Sequence, residues 1–223
     1  MTVIEIVGPA GAGKTAVTAA LGQASSDVIV QGPYRQLRRA PLYATSLLAV
    51  APVLLRERPV PLPRVVNWLV RTEASSGVVA ELTRADGIVV LDQGPIYTLA
   101  RLDVEGIQWR GDLGQWRRRT LDAWSRTLDA LVVLDTSDEV LLGRIRSRTK
   151  GHLLKGAAEV DSGRLVGRYR RAFADLAGEL ADRGRTVVHA FDSGQVSLAA
   201  LTAEILARIG APEERWPVAD AGN

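Results

Sequence analysis

The sequence predicts an α/β fold in which a five-stranded parallel sheet is flanked by helices, and three observations carry that expectation. Five short apolar runs recur at residues 3–7, 28–30, 87–91, 131–134 and 186–190. The stretches between them have helical spacing. A glycine-rich loop follows the first run at once, as a strand-to-helix turn requires. Runs rich in Val, Ile and Leu without polar alternation read as strands buried on both faces, and strands alternating with helices imply parallel crossover topology.

The remaining elements follow in order. Residues 14–24 are rich in Ala and free of Pro, so they suit the helix after the glycine loop. The long interval 33–86 holds two helices, near 36–56 and 64–84, separated by Pro59, Pro61 and Pro63, which remove donors and disfavour helix before them. Helices are also expected between the third and fourth strands and after the fourth. No linker divides the chain, so residues 1–209 read as one domain and 210–223, with two prolines and little apolar pattern, as a flexible tail.

Composition narrows the function classes. At 223 residues with 47% hydrophobic and 24% charged content, the chain can bury a core without staples. It has no Cys and two His, which excludes a disulfide scaffold, a thiolate zinc site, a cysteine nucleophile and a histidine-rich metal centre. Apolar residues begin at Val3 and the glycine loop at Gly8, leaving no space for a targeting peptide. The apolar stretch 42–55 spans 14 residues and contains Pro52, short of the roughly 20 a bilayer needs, so no stable membrane insertion and a cytoplasmic location are expected. A net charge of +3 is poor support for a nucleic-acid binder. Cationic density peaks at 144–171, where nine Arg or Lys face only Glu159 and Asp161. Such a run reads either as a solvated helix face or as an anion-binding segment.

The decisive signal is Gly8-Pro9-Ala10-Gly11-Ala12-Gly13-Lys14-Thr15, which satisfies G-x-x-x-x-G-K-[ST] after a strand and before a helix. Glycines let successive backbone N–H groups curl inward to form an anion nest, and the following helix, from Lys14 through Ala16 onward, aims its positive end at the same phosphates. Lys14, expected to be exposed in an empty site, would reach the β- and γ-phosphates, and Thr15 would offer its hydroxyl to Mg²⁺.

On these residues the chain resembles P-loop NTPases. It has no N-K-x-D guanine motif, since its only asparagines are Asn67 and Asn223. It is also too short for the large motor branches. What remains is the nucleoside and nucleotide kinase group with its thymidylate-kinase-like fold, and this resemblance implies a three-layer P-loop domain, a helical lid near 144–171, and ATP and Mg²⁺ as cofactors. Two runs end in a carboxylate, Asp92 and Asp135. By the resemblance the third strand lies beside the first, which makes Asp92 the partner for Mg²⁺ and the candidate general base, and leaves Asp135 as a turn cap. Thymidylate and deoxynucleoside kinases carry an arginine at the position of Gln93, and deoxynucleoside kinases a glutamate near Gln31, so neither role carries over to this chain.

Further resemblance-based assignments concern the lid and the acceptor. Arg144 and Arg148, four residues apart and so on one helix face, match the paired arginines entering the lid of nucleotide kinases. This implies stacking on adenine for Arg144 and phosphate contact for Arg148. Asp192 opens the loop that related kinases pack against adenine. Tyr34, Arg35, Gln93, Tyr97 and Arg101 follow strand ends, where α/β folds bind ligands, and are the acceptor contacts. Two features stand outside this machinery: the apolar stretch 42–55 and the cluster of Trp109, Trp116 and Trp124 around Arg117, Arg118 and Arg119. Core packing accounts for both, and so does an apolar acceptor or an association surface such as a homodimer. The expected function is ATP- and Mg²⁺-dependent phosphoryl transfer to a small-molecule acceptor. The competing class is a nucleotide-dependent module that acts through a protein partner.

Overall fold

The computed structural model describes residues 1–31, 40–56, 63–82, 87–147 and 159–210. Strand β1 (Thr2–Val7) leads into helix α1 (Lys14–Ala24) and strand β2 (Val28–Gln31). Two long helices follow, α2 (Ala40–Arg56) and α3 (Pro63–Leu82), then β3 (Ile88–Asp92), α4 (Pro95–Val104) and α5 (Gly111–Thr127). The chain continues as β4 (Ala130–Asp135), α6 (Asp138–Ser147), α7 (Glu159–Asp182), β5 (Val187–Asp192) and α8 (Leu198–Gly210). The five strands form one parallel sheet in the order β2-β3-β1-β4-β5. All five expected strands are present, each shifted or lengthened by a residue or two. The ends move because the sheet's hydrogen bonds extend past the apolar run to the terminal carboxylates Asp92, Asp135 and Asp192.

Alternation along β1 builds the three layers. Ile4 and Ile6 point into a core shared with Val17 and Leu21 of α1 and Leu201 and Ile205 of α8. Val3 and Val7 point the other way, into a core with Ile96 and Leu99 of α4, Trp116 and Trp124 of α5, and Phe173 and Leu176 of α7. Each fully buried side chain of this size contributes about 1.5–3 kcal/mol, so the sheet is held from both sides.

Helix α2 divides its apolar residues. Val50 and Val53 are buried, whereas Leu48 and Leu55 are 73% and 76% exposed. The tryptophans of the other cluster are packing residues. Trp116 and Trp124 are buried, Trp109 stacks on Trp116 with centroids 6.3 Å apart, and Trp116 Nε1 donates to Glu73 at 2.6 Å. Arg117 of the basic run forms a two-pronged pair with Glu179 of α7, at 3.0 and 2.5 Å. Core packing is therefore the structural account of this cluster. Among the described residues no helix is long and apolar enough to cross a membrane.

His189 of β5 supplies a test of the α8 face. It is half-buried beside Phe191, with Arg208 of α8 close by, and burial followed by that guanidinium pushes its imidazole below the usual value. A depressed histidine contributes stability above its unfolded pKa of about 6.5 and loses it as pH falls. In thermal denaturation from pH 7.5 to 5.5, the wild type should lose more stability than His189→Gln. Parallel curves for the two proteins would place His189 outside that packing.

Candidate active site

The central position of β1 decides what stands beside the glycine loop. Ile6 is in register with Asp92 of β3, and Val7 with Val133 of β4. The loop therefore emerges between two strands that both end in aspartate. Gly8 has φ +144, and a Cβ there would lie 2.1 Å from the Leu134 carbonyl oxygen. Gly11 has φ +89, and its Cβ would lie 2.6 Å from the Leu141 carbonyl oxygen at the start of α6. Both positions require glycine for their backbone conformation and for space. Gly13, at φ +87, forms the turn into α1 with no side-chain cap.

Lys14 is half-buried, a correction to the exposed lysine expected. Its ammonium folds back and donates to the carbonyls of Gly8 at 2.6 Å and Pro9 at 2.9 Å, because a cation beside a curled loop finds the carbonyls that point away from the nest. Thr15 and Ala16 are exposed at the start of α1, and Pro9, Ala10 and Ala12 complete the loop.

Strand adjacency alone does not separate the two aspartates, since both β3 and β4 flank β1. Their partners do. Asp135 accepts from Arg170 Nε at 2.7 Å and from the Thr136 amide at 2.8 Å, so its charge is committed to the turn before α6. Arg170 also donates to Asp138 and to the Thr136 carbonyl. Asp92 has a buried carboxylate oxygen, Oδ1, without a partner. Burial pushes the Asp92 carboxyl upward, and Lys14 opposes that rise. An orphaned carboxylate oxygen close to the Lys14 ammonium suits a Mg²⁺ held by few protein ligands together with phosphate oxygens, and Thr15, next to Lys14 and exposed, carries a hydroxyl of the kind such an ion takes. The turn after Asp92 holds Gln93 at φ 58, the one non-glycine residue among the described residues with positive φ.

Two residues of this region were missed from the sequence. Glu5 of β1 is completely buried and accepts from the amides of Ile96 at 3.0 Å and Tyr97 at 2.7 Å. Burial pushes its carboxyl up to about 8. The amides of Tyr97 and Ile96 oppose the rise, Asp92 adds to it, and the Gly94 amide opposes it further. The signal was a single charged residue inside an apolar strand, a pattern that demands a buried partner. Ser193 is the second. Arg144 of α6 donates to its carbonyl at 2.9 Å and its hydroxyl at 3.2 Å, and to the Gly11 carbonyl at 3.3 Å. Arg144 thus ties the glycine loop to the loop after β5, where Asp192 accepts from the Gly194 amide at 2.8 Å.

On the opposite side of Lys14 lies an aromatic group. The Lys14 ammonium is 5.8 Å from the Tyr97 ring, and Phe173 stands between Tyr97 at 6.3 Å and Tyr169 at 6.0 Å. Arg101 stacks on Trp68 at 4.6 Å and bonds Glu105 at 3.3 Å, while Arg71 covers Trp68 at 4.8 Å. The structure brings Lys14 close to Asp92 and Tyr97, and Arg101 close to Tyr97, while Thr15 and Gln93 adjoin Lys14 and Asp92 in the chain and Arg144 links the glycine loop to the loop that Asp192 opens. Tyr34, Arg35 and Arg148 lie outside the described residues. So do 148–158 of the expected lid and 211–223 of the expected tail, whereas from Glu159 onward the lid segment is helical within α7.

No protein-family model matches the chain, and no curated protein matches it in sequence. Solved structures do match it in shape. The deoxyadenosine kinase of M. mycoides with products dCMP and a flexible dCDP bound aligns with a TM-score of 0.55 and 13% identity, over 93% of this chain and 98% of that one. The same enzyme with bound dATP aligns with a TM-score of 0.55 and 13% identity, over 95% of this chain and 100% of that one. At this identity the likeness establishes the fold: the chain has a three-layer α/β architecture similar to that of these structures across nearly its whole length.

Proposed function

We propose that this protein is an ATP- and Mg²⁺-dependent phosphotransferase whose acceptor is a small molecule with a hydroxyl or phosphate oxygen, a nucleoside foremost. The observation that carries the reading is the unpartnered Asp92 oxygen beside Lys14 at the mouth of a complete phosphate loop. The full-length likeness to a kinase that binds dATP supports it.

In this reading the loop amides from Gly8 to Ala16 and the Lys14 ammonium receive the β- and γ-phosphates, Lys14 exchanging its two carbonyl partners for phosphate oxygens. Thr15 and Asp92 hold Mg²⁺, which when bound neutralises charge on the phosphates. Asp92 also takes the acceptor's proton; the burial that raises its carboxyl makes it a better base than an exposed aspartate. Arg144 and the Asp192–Ser193 loop receive the adenine, and Arg148 approaches the transferring phosphoryl group. Gln93, Tyr97 and Arg101 hold the acceptor, joined by Tyr34 and Arg35. Trp68 and Tyr169 lie close enough to take part. Positioning and fixed charge supply most of the rate in such transfers.

The second reading, a nucleotide-dependent module acting through a protein partner, is favoured by the exposed Leu47, Leu48 and Leu55 of α2. A panel of deoxynucleosides, nucleotides, sugars and alcohols incubated with terminally labelled ATP separates the two. Label in a small product supports the kinase. Phosphate release alone, accelerated by a protein, supports the module.

Three substitutions test the roles. Lys14→Ala should lower turnover on the order of 10²–10³-fold with the fold intact by circular dichroism, because a fixed charge is lost where charge develops. Asp92→Asn should lower turnover roughly 10²–10⁴-fold even at saturating Mg²⁺; full rescue by added metal would restrict Asp92 to metal affinity. Arg144→Ala should weaken ATP binding more than it lowers kcat, since its contacts precede and outlast the transfer.

A further inference from the structure

We propose that Glu5 is a positioning residue for phosphoryl transfer: its carboxyl group, fixed in the strand that feeds the phosphate loop, grips the start of α4 and so sets Asp92 and Tyr97 against Lys14. The inference rests on the kinase reading for its catalytic half and on geometry alone for its structural half.

The geometry begins with an accounting of helix donors. The first turn of a helix leaves amides without intrahelical partners, and a side chain at the N-cap ordinarily satisfies them. Helix α4 has Gly94 at its N-cap, with no side-chain bond, and Pro95 in its first turn, which has no N–H. The Thr98 amide already bonds the Gly94 carbonyl at 3.1 Å. The amides of Ile96 and Tyr97 remain, and both donate to Glu5, from a strand 91 and 92 positions away in sequence. Gly94 itself lies against the same carboxyl group. The cap for this helix therefore comes entirely from β1.

The fit is an interlock. A Cβ on Gly94 would lie 2.7 Å from Glu5 Cδ and Oε2, so glycine at 94 is the space the carboxyl group occupies. The gripped segment carries Asp92 with its orphaned oxygen, Gln93 in its left-handed conformation, and Tyr97 with its ring 5.8 Å from the Lys14 ammonium. Gly8 follows Glu5 by three residues. If stability alone were required, a serine or aspartate at 94 would cap α4 locally, without burying a carboxyl group in the sheet. A cap from β1 instead makes the phosphate loop and the acceptor helix one rigid unit, and a displacement of about 1 Å at such a site can cost on the order of 10²-fold in rate.

The test uses Glu5→Gln, which keeps the shape but sets an amide NH₂ against backbone N–H groups, with Glu5→Asp as a shorter carboxylate. Both are compared with wild type for folding, binding of a non-hydrolysable ATP analogue, kcat, acceptor KM and amide hydrogen exchange. Glu5→Gln should fold and bind the analogue within about twofold of wild type, with kcat lower by roughly 10- to 100-fold and acceptor KM raised; Glu5→Asp should recover part of kcat. The amides of Ile96 and Tyr97 should exchange slowly in wild type and on the order of 10²-fold faster in Glu5→Gln. An unchanged kcat per folded molecule, or a drop that tracks lost stability alone, would overturn the proposal. So would unchanged exchange at these two amides, whichever variant folds best. Should wild type itself phosphorylate no acceptor, the kinase reading fails. Gly94→Ala then decides the interlock, being strongly destabilising in wild type and tolerated in Glu5→Ala if the carboxyl group fills that space; equal costs in both backgrounds would refute the grip.

Discussion

The parallel pairing of β1 between β3 and β4 is the constraint on which the rest of the site depends. Because β1 is central, its carboxyl end is flanked on both sides by strand ends, and the glycine loop must pass within contact of the Leu134 carbonyl. That closeness excludes any side chain at Gly8. It also sets two carboxylates on either side of the loop, and the chemistry then turns on which of them is already committed.

The structure resolves that choice through hydrogen-bond satisfaction. Buried charged groups are costly unless paired, so a carboxylate with a full set of donors is a structural element and one without is available. Asp135 is committed to Arg170 and the Thr136 amide, whereas Asp92 keeps an unpaired oxygen. Glu5 stands at the opposite extreme from Asp92: completely buried, it is surrounded by backbone donors of α4. Three acidic residues on three neighbouring strands thus take three different parts, and the difference lies in what each faces.

The same logic sorts the basic and aromatic residues. Arg117 belongs to a helix-to-helix pair with Glu179, and the tryptophans around it fill the layer between α5 and its neighbours. Arg101 of α4 instead stacks on Trp68 and bonds Glu105. Arg144 reaches across from α6 to tie the loop after β5 to the glycine loop after β1. Identical side chains therefore take different parts according to the partners that their helix faces.

By itself the sequence determined the class of fold, the strands, the glycine-rich loop between β1 and α1, and the candidate status of Asp92. These features depend on contiguous residues: apolar runs specify strands, and eight consecutive positions specify the loop. It left Asp92 and Asp135 separable only by analogy, because both end apolar strands in the same way. Tertiary structure alone decided which carboxylate is paired, that Glu5 rather than a local residue caps α4, that Ser193 anchors Arg144, and that Trp68 and Tyr169 stand near Tyr97 and Arg101. Those contacts join residues tens of positions apart, and the sheet order that brings them together is set by packing on both faces of β1, which no local pattern encodes.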